Sequence, residues 1–202
     1  MSLGYKIVNL DYMLQELTEE KTINILKEFS CVQNKDVENF LHDKSIEFSK
    51  MGIAKTHLVF ASYQNKDVIA GYFALAGSKN FVISLKRKAL SNTLKRKLKK
   101  FGIFYPEINQ YVISAPLIGQ LGKNSNFPQL ITGSELLEMA CEKVKNVQLD
   151  IGGKFVYLEC ENTPRLKEFY ENNGFQCFGE RKLDADERDL KTKTLLQLLK
   201  YL

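Results

Sequence analysis

The chain has 202 residues, of which 44% are hydrophobic, and a formal net charge of +5. This length suits one sizeable core and is short for two ordinary domains, so we expect a single domain over residues 1–202. No apolar run approaches the roughly 18 residues of a membrane helix, and the N-terminus lacks a basic segment followed by an apolar stretch. We therefore expect a cytosolic protein, with its four scattered cysteines as reduced, structural thiols.

The first 52 residues predict one strand and two helices. Tyr5–Leu10 has the composition of a strand, and Thr18 is placed to cap a helix with acids in its first turn that runs to about residue 29. Asn34 or Asp36 caps a second apolar-patterned helix, which Gly52 would end. We therefore expect helical structure before the first long strands.

Two strands of a hairpin are predicted next. His57–Tyr63 and Val68–Leu75 are rich in β-branched and aromatic residues, and the polar residues 64–67 between them form a loop of suitable length.

A basic segment follows, with eight basic and no acidic residues between positions 86 and 100. Leu90, Leu94, Leu98 and Phe101 recur at three to four residues, which predicts a helix with an apolar stripe beneath the charges. The segment has three interpretations: a solvated face, a nucleic-acid contact, or a surface that attracts phosphate-rich ligands. Its basic residues are Lys86, Arg87, Lys88, Lys95, Arg96, Lys97, Lys99 and Lys100.

The second half alternates strands and helices, so the whole chain reads as α+β with one βαβ unit. The last segment, Thr192–Leu202, fits a strand or a helix, because its leucines follow neither period cleanly. The other predicted strands are Gln110–Ile118, Lys154–Cys160 and Phe175–Arg181, and the helices are Gly133–Gln148 and Pro164–Asn173.

Four stretches in this half, in chain order, resemble the acyl-CoA-binding half of the GNAT superfamily of N-acetyltransferases: Ala115–Gly122, Gly133–Leu137, Phe155–Leu158 and Phe169–Phe175. The front half is similar to the GNAT toxins that acetylate aminoacyl-tRNA. That likeness rests on Phe29-Ser30-Cys31, Phe40-Leu41 and Ile69-Ala70-Gly71-Tyr72-Phe73-Ala74-Leu75.

The resemblance implies a mixed central sheet of about seven strands flanked by about four helices. It implies acetyl-CoA as cosubstrate, no metal, and direct transfer of the acyl group to a primary amine. The acceptor is open: aminoacyl-tRNA bound through residues 86–100, a small molecule, or a protein amine.

Gly119, Leu121 and Gly122 match the strand that this superfamily uses to hold pantetheine. An extended backbone with unpaired N–H and C=O groups bonds the amide-rich pantetheine arm, and glycines let the ligand approach closely. The resemblance also implies that N–H groups near Leu121 polarise the thioester carbonyl. The alternative is that Gly119 and Gly122 are turn glycines at the end of a strand.

The helix N-terminus at Thr132, Gly133 and Ser134 is the implied site for the CoA pyrophosphate, because unpaired N–H groups and the helix dipole favour anions. The superfamily motif Q/R-x-x-G-x-G/A fits in neither register here. Anchoring it on Gln129 places Thr132 and Ser134 at the glycine positions, whereas anchoring its final glycine on Gly133 places Pro128 at the Q/R position and Ile131 at the first glycine position. An ordinary capped helix is the alternative.

Tyr170 is the implied catalytic acid, since a phenol with an ordinary pKa of about 10 remains protonated at neutral pH and can donate to the departing CoA thiolate. Phe169 would face the core or the pantetheine. The alternative is that Tyr170 serves only to pack the core. No general base is evident: Glu159 or Glu161 could relay a proton through water, and the two histidines, His42 and His57, fit structural roles better.

Two other classes of protein fit the sequence. One is a non-catalytic nucleic-acid-binding protein on a GNAT-like scaffold, with the basic segment as its contact surface. The other is an interaction module, a homodimer whose contact is made by the apolar C-terminal leucines, Leu195 to Leu202.

Overall fold

The computed structural model describes residues 4–83, 90–183 and 192–202. It divides into two compact units, each built from helices and strands. The first unit contains the chain up to Ala76 together with Ile118–Ala140, and the second contains Gly77–Leu117 and Cys141–Leu202. The α+β class is confirmed; the single domain stays a prediction.

The helices of the first unit begin at the predicted caps. Thr18 Oγ1 accepts a hydrogen bond from the Lys21 N–H at 3.3 Å, and Asn34 Oδ1 accepts one from the Asp36 N–H at 3.0 Å. A further helix, capped by Asn9, was not predicted. In chain order the elements are β1 (Lys6–Asn9), α1 (Leu10–Glu16), α2 (Glu19–Leu26), α3 (Lys35–Asn39), a π-helical turn (Phe40–Lys44) and α4 (Ser45–Lys50).

The predicted hairpin is confirmed as β2 (Lys55–Tyr63) and β3 (Lys66–Ile83), which pair antiparallel. Its turn is shorter than predicted, because Gln64 and Asn65 alone connect the strands. Both have positive φ, 49° and 62°, as a two-residue type I′ turn requires.

An aromatic group centres the core of the first unit. Tyr72 is fully buried and packs edge-on against Phe29, with ring centroids 5.1 Å apart. Its hydroxyl donates to the Val37 carbonyl at 2.5 Å. Other buried members include Leu10, Leu26, Phe40, Leu41, Leu58 and Ile69.

The remaining elements are α5 (Asn92–Phe101), β4 (Ile103–Tyr105), β5 (Gln110–Lys123), α6 (Gly133–Ile151), β6 (Phe155–Glu161), α7 (Pro164–Asn172), β7 (Gln176–Lys182) and β8 (Thr194–Tyr201). Hydrogen bonds order the strands β1-β2-β3-β5-β6-β8-β7, with β4 paired to β5. The short strand β4 was not predicted. The core of the second unit includes Leu94, Leu98, Ile113, Tyr157, Phe178 and Leu199.

The ambiguous C-terminal segment is a strand. β8 lies between β6 and β7 and pairs antiparallel with both. Its leucines are buried inside the second unit, with exposures of 6% at Leu195, 7% at Leu196, and 0% at Leu198 and Leu199. The prediction that these leucines form a dimer contact is therefore wrong.

Cys31, Cys141 and Cys160 are buried, as is usual for free cysteines that pack as small hydrophobic residues. Within the described ranges, no helix is long and apolar enough to cross a membrane.

Candidate functional site

The C-terminal half of β5, in the first unit, carries the predicted pantetheine-binding residues. Gly119 is exposed and Leu121 is partly exposed, so a ligand can reach the backbone there. Gly122 faces the core instead: a Cβ at this position would lie 2.4 Å from Val37 Cγ1 and 3.1 Å from Phe29 Cζ. Core packing explains why residue 122 is a glycine, whereas close approach of a ligand is the predicted reason for a glycine at position 119.

Replacing Gly122 with alanine is expected to lower the free energy of unfolding by about 1–3 kcal/mol, because an added methyl group overpacks a filled core. Urea denaturation measures the change. Gly77→Ala is the matched control, because Gly77 is also in a strand and nothing lies within 4 Å of its Cβ position. Equal stability of the two variants would contradict this account of Gly122.

Asn124 fixes the backbone that follows β5. Its side chain is fully buried, and Nδ2 donates to the Ile69 carbonyl at 2.8 Å and the Glu28 carbonyl at 3.3 Å. Its Oδ1 accepts from the Ser30 N–H at 3.2 Å. One side chain therefore ties the end of β5 to β3 and to the loop after α2. Asn124 was not among the predicted residues, since a lone asparagine in a polar loop gives no signal of burial.

Glu38 also fixes the loop after α2, through hydrogen bonds to residues 30 and 31. Its carboxylate accepts hydrogen bonds from Lys35 Nζ at 2.5 Å, from the Cys31 N–H at 2.6 Å and from Ser30 Oγ at 3.0 Å. The hydrogen bond from Lys35, followed by that from the Cys31 backbone, lowers the pKa of Glu38 to about 2. An ionised carboxylate thus anchors residues 30–31.

A capping box closes the N-terminus of α6. The Thr132 N–H and Oγ1 donate to Glu135 Oε2 at 2.8 and 2.7 Å, and the Glu135 N–H donates back to Thr132 Oγ1 at 3.2 Å. The T-x-x-E spacing that marks a capping box is visible in the sequence, although the capping box was not predicted. Among the described residues, the N–H groups of Gly133 and Ser134 have no hydrogen-bond partner. Gly133 and Ser134 thus suit a phosphate oxygen, whereas Thr132 is already engaged.

The loop before α6 is held by internal contacts. Ile131, at a glycine position of the pyrophosphate motif in one register, is 1% exposed and belongs to the core. Lys123 Nζ donates to the Pro128 carbonyl at 3.0 Å, and the Tyr5 hydroxyl donates to the Leu130 carbonyl at 2.8 Å. The first unit therefore offers accessible backbone at Gly119 and Leu121, and two N–H groups without partners among the described residues at the start of α6.

Tyr170 lies on α7, in the second unit. Its residue is 9% exposed, and its ring packs against Phe169 and Phe175 at centroid distances of 4.9 and 5.9 Å. Burial, and secondarily the nearby Cys160, raises the pKa of Tyr170 above its usual value. Within the described residues its hydroxyl makes no hydrogen bond. The phenol is thus protonated at neutral pH and has its proton available to donate.

Glu159, one of the two possible relays for the amine proton, is engaged in a polar cluster of the second unit. Arg181 Nε and Nη2 donate to Glu159 Oε2 at 2.8 and 2.6 Å, and Tyr157 donates to Oε1. Glu161 lies partly exposed at the end of β6. Of the histidines, His42 Nε2 lies 2.9 Å from the Phe29 carbonyl, and His57 is buried and stacks on Phe73.

The described part of the basic segment is α5, which is helical as predicted. Leu94 and Leu98 are buried beneath it, while Arg96, Lys99 and Lys100 are exposed. Lys97 differs from these, because its Nζ lies 3.4 Å from the centroid of the Tyr201 ring. Lys86, Arg87 and Lys88 lie outside the described residues.

Exposed apolar side chains follow the exposed cations along the chain. Ile103, Phe104 and Tyr105, the whole of β4, are 65%, 46% and 43% exposed, and Phe101 at the end of α5 is 42% exposed. Phosphate-binding cations with exposed rings beside them are typical of surfaces that bind single-stranded nucleic acid.

Several solved structures resemble the chain over nearly its whole length. AtaT complexed with acetyl-methionyl-tRNAfMet has a TM-score of 0.62 at 18% identity, over 96% of this chain and 94% of that one. A tyrosine-to-phenylalanine mutant of KacT has a TM-score of 0.59 at 15% identity, over 95% and 93%. AtaTR bound with AcCoA has a TM-score of 0.54 at 15% identity, over 98% and 93%.

The chain has a GNAT fold. No protein-family profile matches it, and no curated protein matches it significantly. The GNAT fold confirms the predicted resemblance, with eight strands in the described part of the chain in place of about seven. Within it, the predicted pantetheine and pyrophosphate residues lie in the first unit, and Phe169 and Tyr170 lie in the second.

Proposed function

We propose that the protein is a cytosolic, acetyl-CoA-dependent N-acetyltransferase that transfers the acetyl group directly to a primary amine. The observation that carries this proposal is Tyr170, a protonated phenol on α7 whose hydroxyl has no partner among the described residues. Support also comes from neighbours of the same fold, one of which was solved with AcCoA and another with an acetylated tRNA.

The first unit supplies the groups that bind and polarise acetyl-CoA. The backbone of Gly119, Leu121 and Gly122 hydrogen-bonds the pantetheine arm, and the N–H groups near Leu121 stabilise negative charge on the thioester oxygen. Gly133 and Ser134, with a smaller contribution from Thr132, bind the pyrophosphate at the N-terminus of α6. Acetyl-CoA itself supplies the acyl group and a thiolate leaving group.

Tyr170 supplies the proton for the leaving group. The amine attacks the thioester carbon and a C–N bond forms; the C–S bond then breaks, and the sulfur leaves with its electron pair. Tyr170 donates its hydroxyl proton to that sulfur, and the proton lost by the amine passes to water. Phe169 packs against Tyr170.

For the acceptor, we propose the amino group of an aminoacyl-tRNA, held through the basic segment 86–100. Arg96, Lys99 and Lys100 are exposed for phosphate contacts, and the rings of β4 offer stacking surfaces for unpaired bases. The electron-withdrawing ester of such an acceptor lowers the pKa of its amine, so the reaction needs less help from a general base. This agrees with Glu159 being occupied by hydrogen bonds from Arg181 and Tyr157. A homodimer remains a prediction.

A second candidate function is a nucleic-acid-binding protein that has kept the GNAT fold without catalysis. The observations that favour it are the engagement of Thr132 by Glu135 and the burial of Ile131 at a glycine position of the motif.

Acetyl-CoA binding separates the two functions. Isothermal calorimetry is expected to give a micromolar Kd, and saturating ligand is expected to raise the Tm by several degrees, because a ligand bound at 100 times its Kd adds about 2.7 kcal/mol of stability. Absence of binding at millimolar acetyl-CoA, with tRNA binding retained, would favour the second function.

A further inference from the structure

The N-terminus of α6 already holds a carboxylate from its own chain. We infer that Glu135 is an affinity-determining residue whose negative charge opposes the phosphate groups of acetyl-CoA. This inference rests on the proposed function, since it concerns the same binding site. It predicts that removal of one charge strengthens binding, a result that loss of a merely structural residue would not give.

The contacts place this carboxylate on the donors that a phosphate would use. Oε2 of Glu135 lies 2.8 Å from the Thr132 nitrogen and 2.7 Å from Thr132 Oγ1. Both Thr132 groups donate to the Glu135 carboxylate. A phosphate that binds the N–H groups of Gly133 and Ser134 would therefore lie next to this negative charge.

The charge of Glu135 is not neutralised by a cation. Hydrogen bonds from Thr132 keep the pKa of Glu135 below its ordinary value, so the group is ionised at neutral pH. Its Oε1 lies 3.4 Å from the Tyr5 hydroxyl, which is uncharged. Lys123 has the smallest effect among the groups that shift the pKa of Glu135, and its ammonium donates to the Pro128 carbonyl. No ion pair with Glu135 forms among the described residues.

The capping hydrogen bonds of Glu135 and its negative charge can be tested separately. A capping box accepts glutamine as well as glutamate at its fourth position, because the side-chain oxygen alone receives the backbone hydrogen bond. Glu135→Gln therefore keeps an acceptor for Thr132 while it removes the negative charge. Glu138→Gln is the matched control, since Glu138 is an exposed carboxylate on the same helix without a bond to Thr132.

The experiment titrates the full-length wild type, Glu135→Gln and Glu138→Gln with acetyl-CoA and, separately, with S-acetylpantetheine, which has the same thioester arm and no phosphates. Glu135→Gln is expected to bind acetyl-CoA about tenfold more tightly than the wild type, since one nearby like charge is removed. Its affinity for S-acetylpantetheine should not change, and Glu138→Gln should match the wild type with both ligands. Added salt should reduce the difference in acetyl-CoA affinity between Glu135→Gln and the wild type.

The outcomes distinguish this inference from the proposed function. Micromolar acetyl-CoA binding by the wild type with equal or weaker binding by Glu135→Gln would overturn the inference and leave the proposed function standing. Binding by Glu135→Gln alone would support both. No binding by either protein at millimolar acetyl-CoA would overturn the proposed function, and the inference with it.

Discussion

Tyr170→Phe is expected to lower kcat by about 10²–10⁴-fold once an amine acceptor is supplied, the usual contribution of a positioned general acid. The ring would keep its packing against Phe169 and Phe175, so the loss would come from the missing proton. Acetyl-CoA affinity, measured by calorimetry, should stay within about twofold, because the interaction forms with the departing sulfur and not with the bound thioester.

Stability provides the control for this variant. Since the Tyr170 hydroxyl has no partner among the described residues, its removal should not lower the Tm. Tyr12→Phe, at a tyrosine that is 66% exposed, should leave both kcat and Tm unchanged. Because the pKa of Tyr170 is raised, loss of activity through its ionisation should begin only above about pH 10. Full activity in Tyr170→Phe would rule out the acid role.

Reversing three charges of α5 is expected to weaken tRNA binding by at least about 100-fold at low salt, because each lost phosphate contact also removes its counterion release. The variant is Lys95→Glu/Arg96→Glu/Lys99→Glu. Lys97 is left intact, since its ammonium packs on Tyr201 and its loss would disturb the fold. Fluorescence anisotropy with labelled tRNA at several salt concentrations measures both the affinity and its salt dependence.

A second triple variant controls for net charge. Lys21→Glu/Lys66→Glu/Lys143→Glu changes the net charge equally, at exposed lysines outside the basic segment. It should bind tRNA more tightly than the α5 variant and keep the salt dependence of the wild type. If the two variants lose affinity equally, the total charge governs binding and α5 is not the contact surface.

Much of the fold was predictable because its signals are local. The capping side chains of Thr18 and Asn34 mark two helix starts, and the β-branched runs on either side of Gln64–Asn65 mark the hairpin. Leu94 and Leu98 were correctly placed beneath α5, because helical spacing alone puts them on one face.

The rest depended on contacts distant in sequence. In β8 the adjacent leucines 195–196 and 198–199 are all buried, so both faces of the strand are apolar and no period of two was there to read. β4 has three exposed residues, and α1 has seven residues with two of them buried, too few for a periodic pattern. In the candidate site, Gly122 matched the superfamily strand, but the sequence did not reveal that the core fills its side-chain space.

The π-helical turn at Phe40–Lys44 has a consequence for how this protein tolerates length changes. The buried positions Val37, Leu41, Ser45 and Ser49 recur every four residues, whereas an unbroken α-helix would rotate each successive one about 40° further from the one before it. The wider turn offsets part of that drift, and it lets Ser49 reach Asp11 with its hydroxyl. Deleting one residue between 40 and 44 should therefore put α4 out of phase, leaving the Ser49 hydroxyl without its acceptor, Asp11.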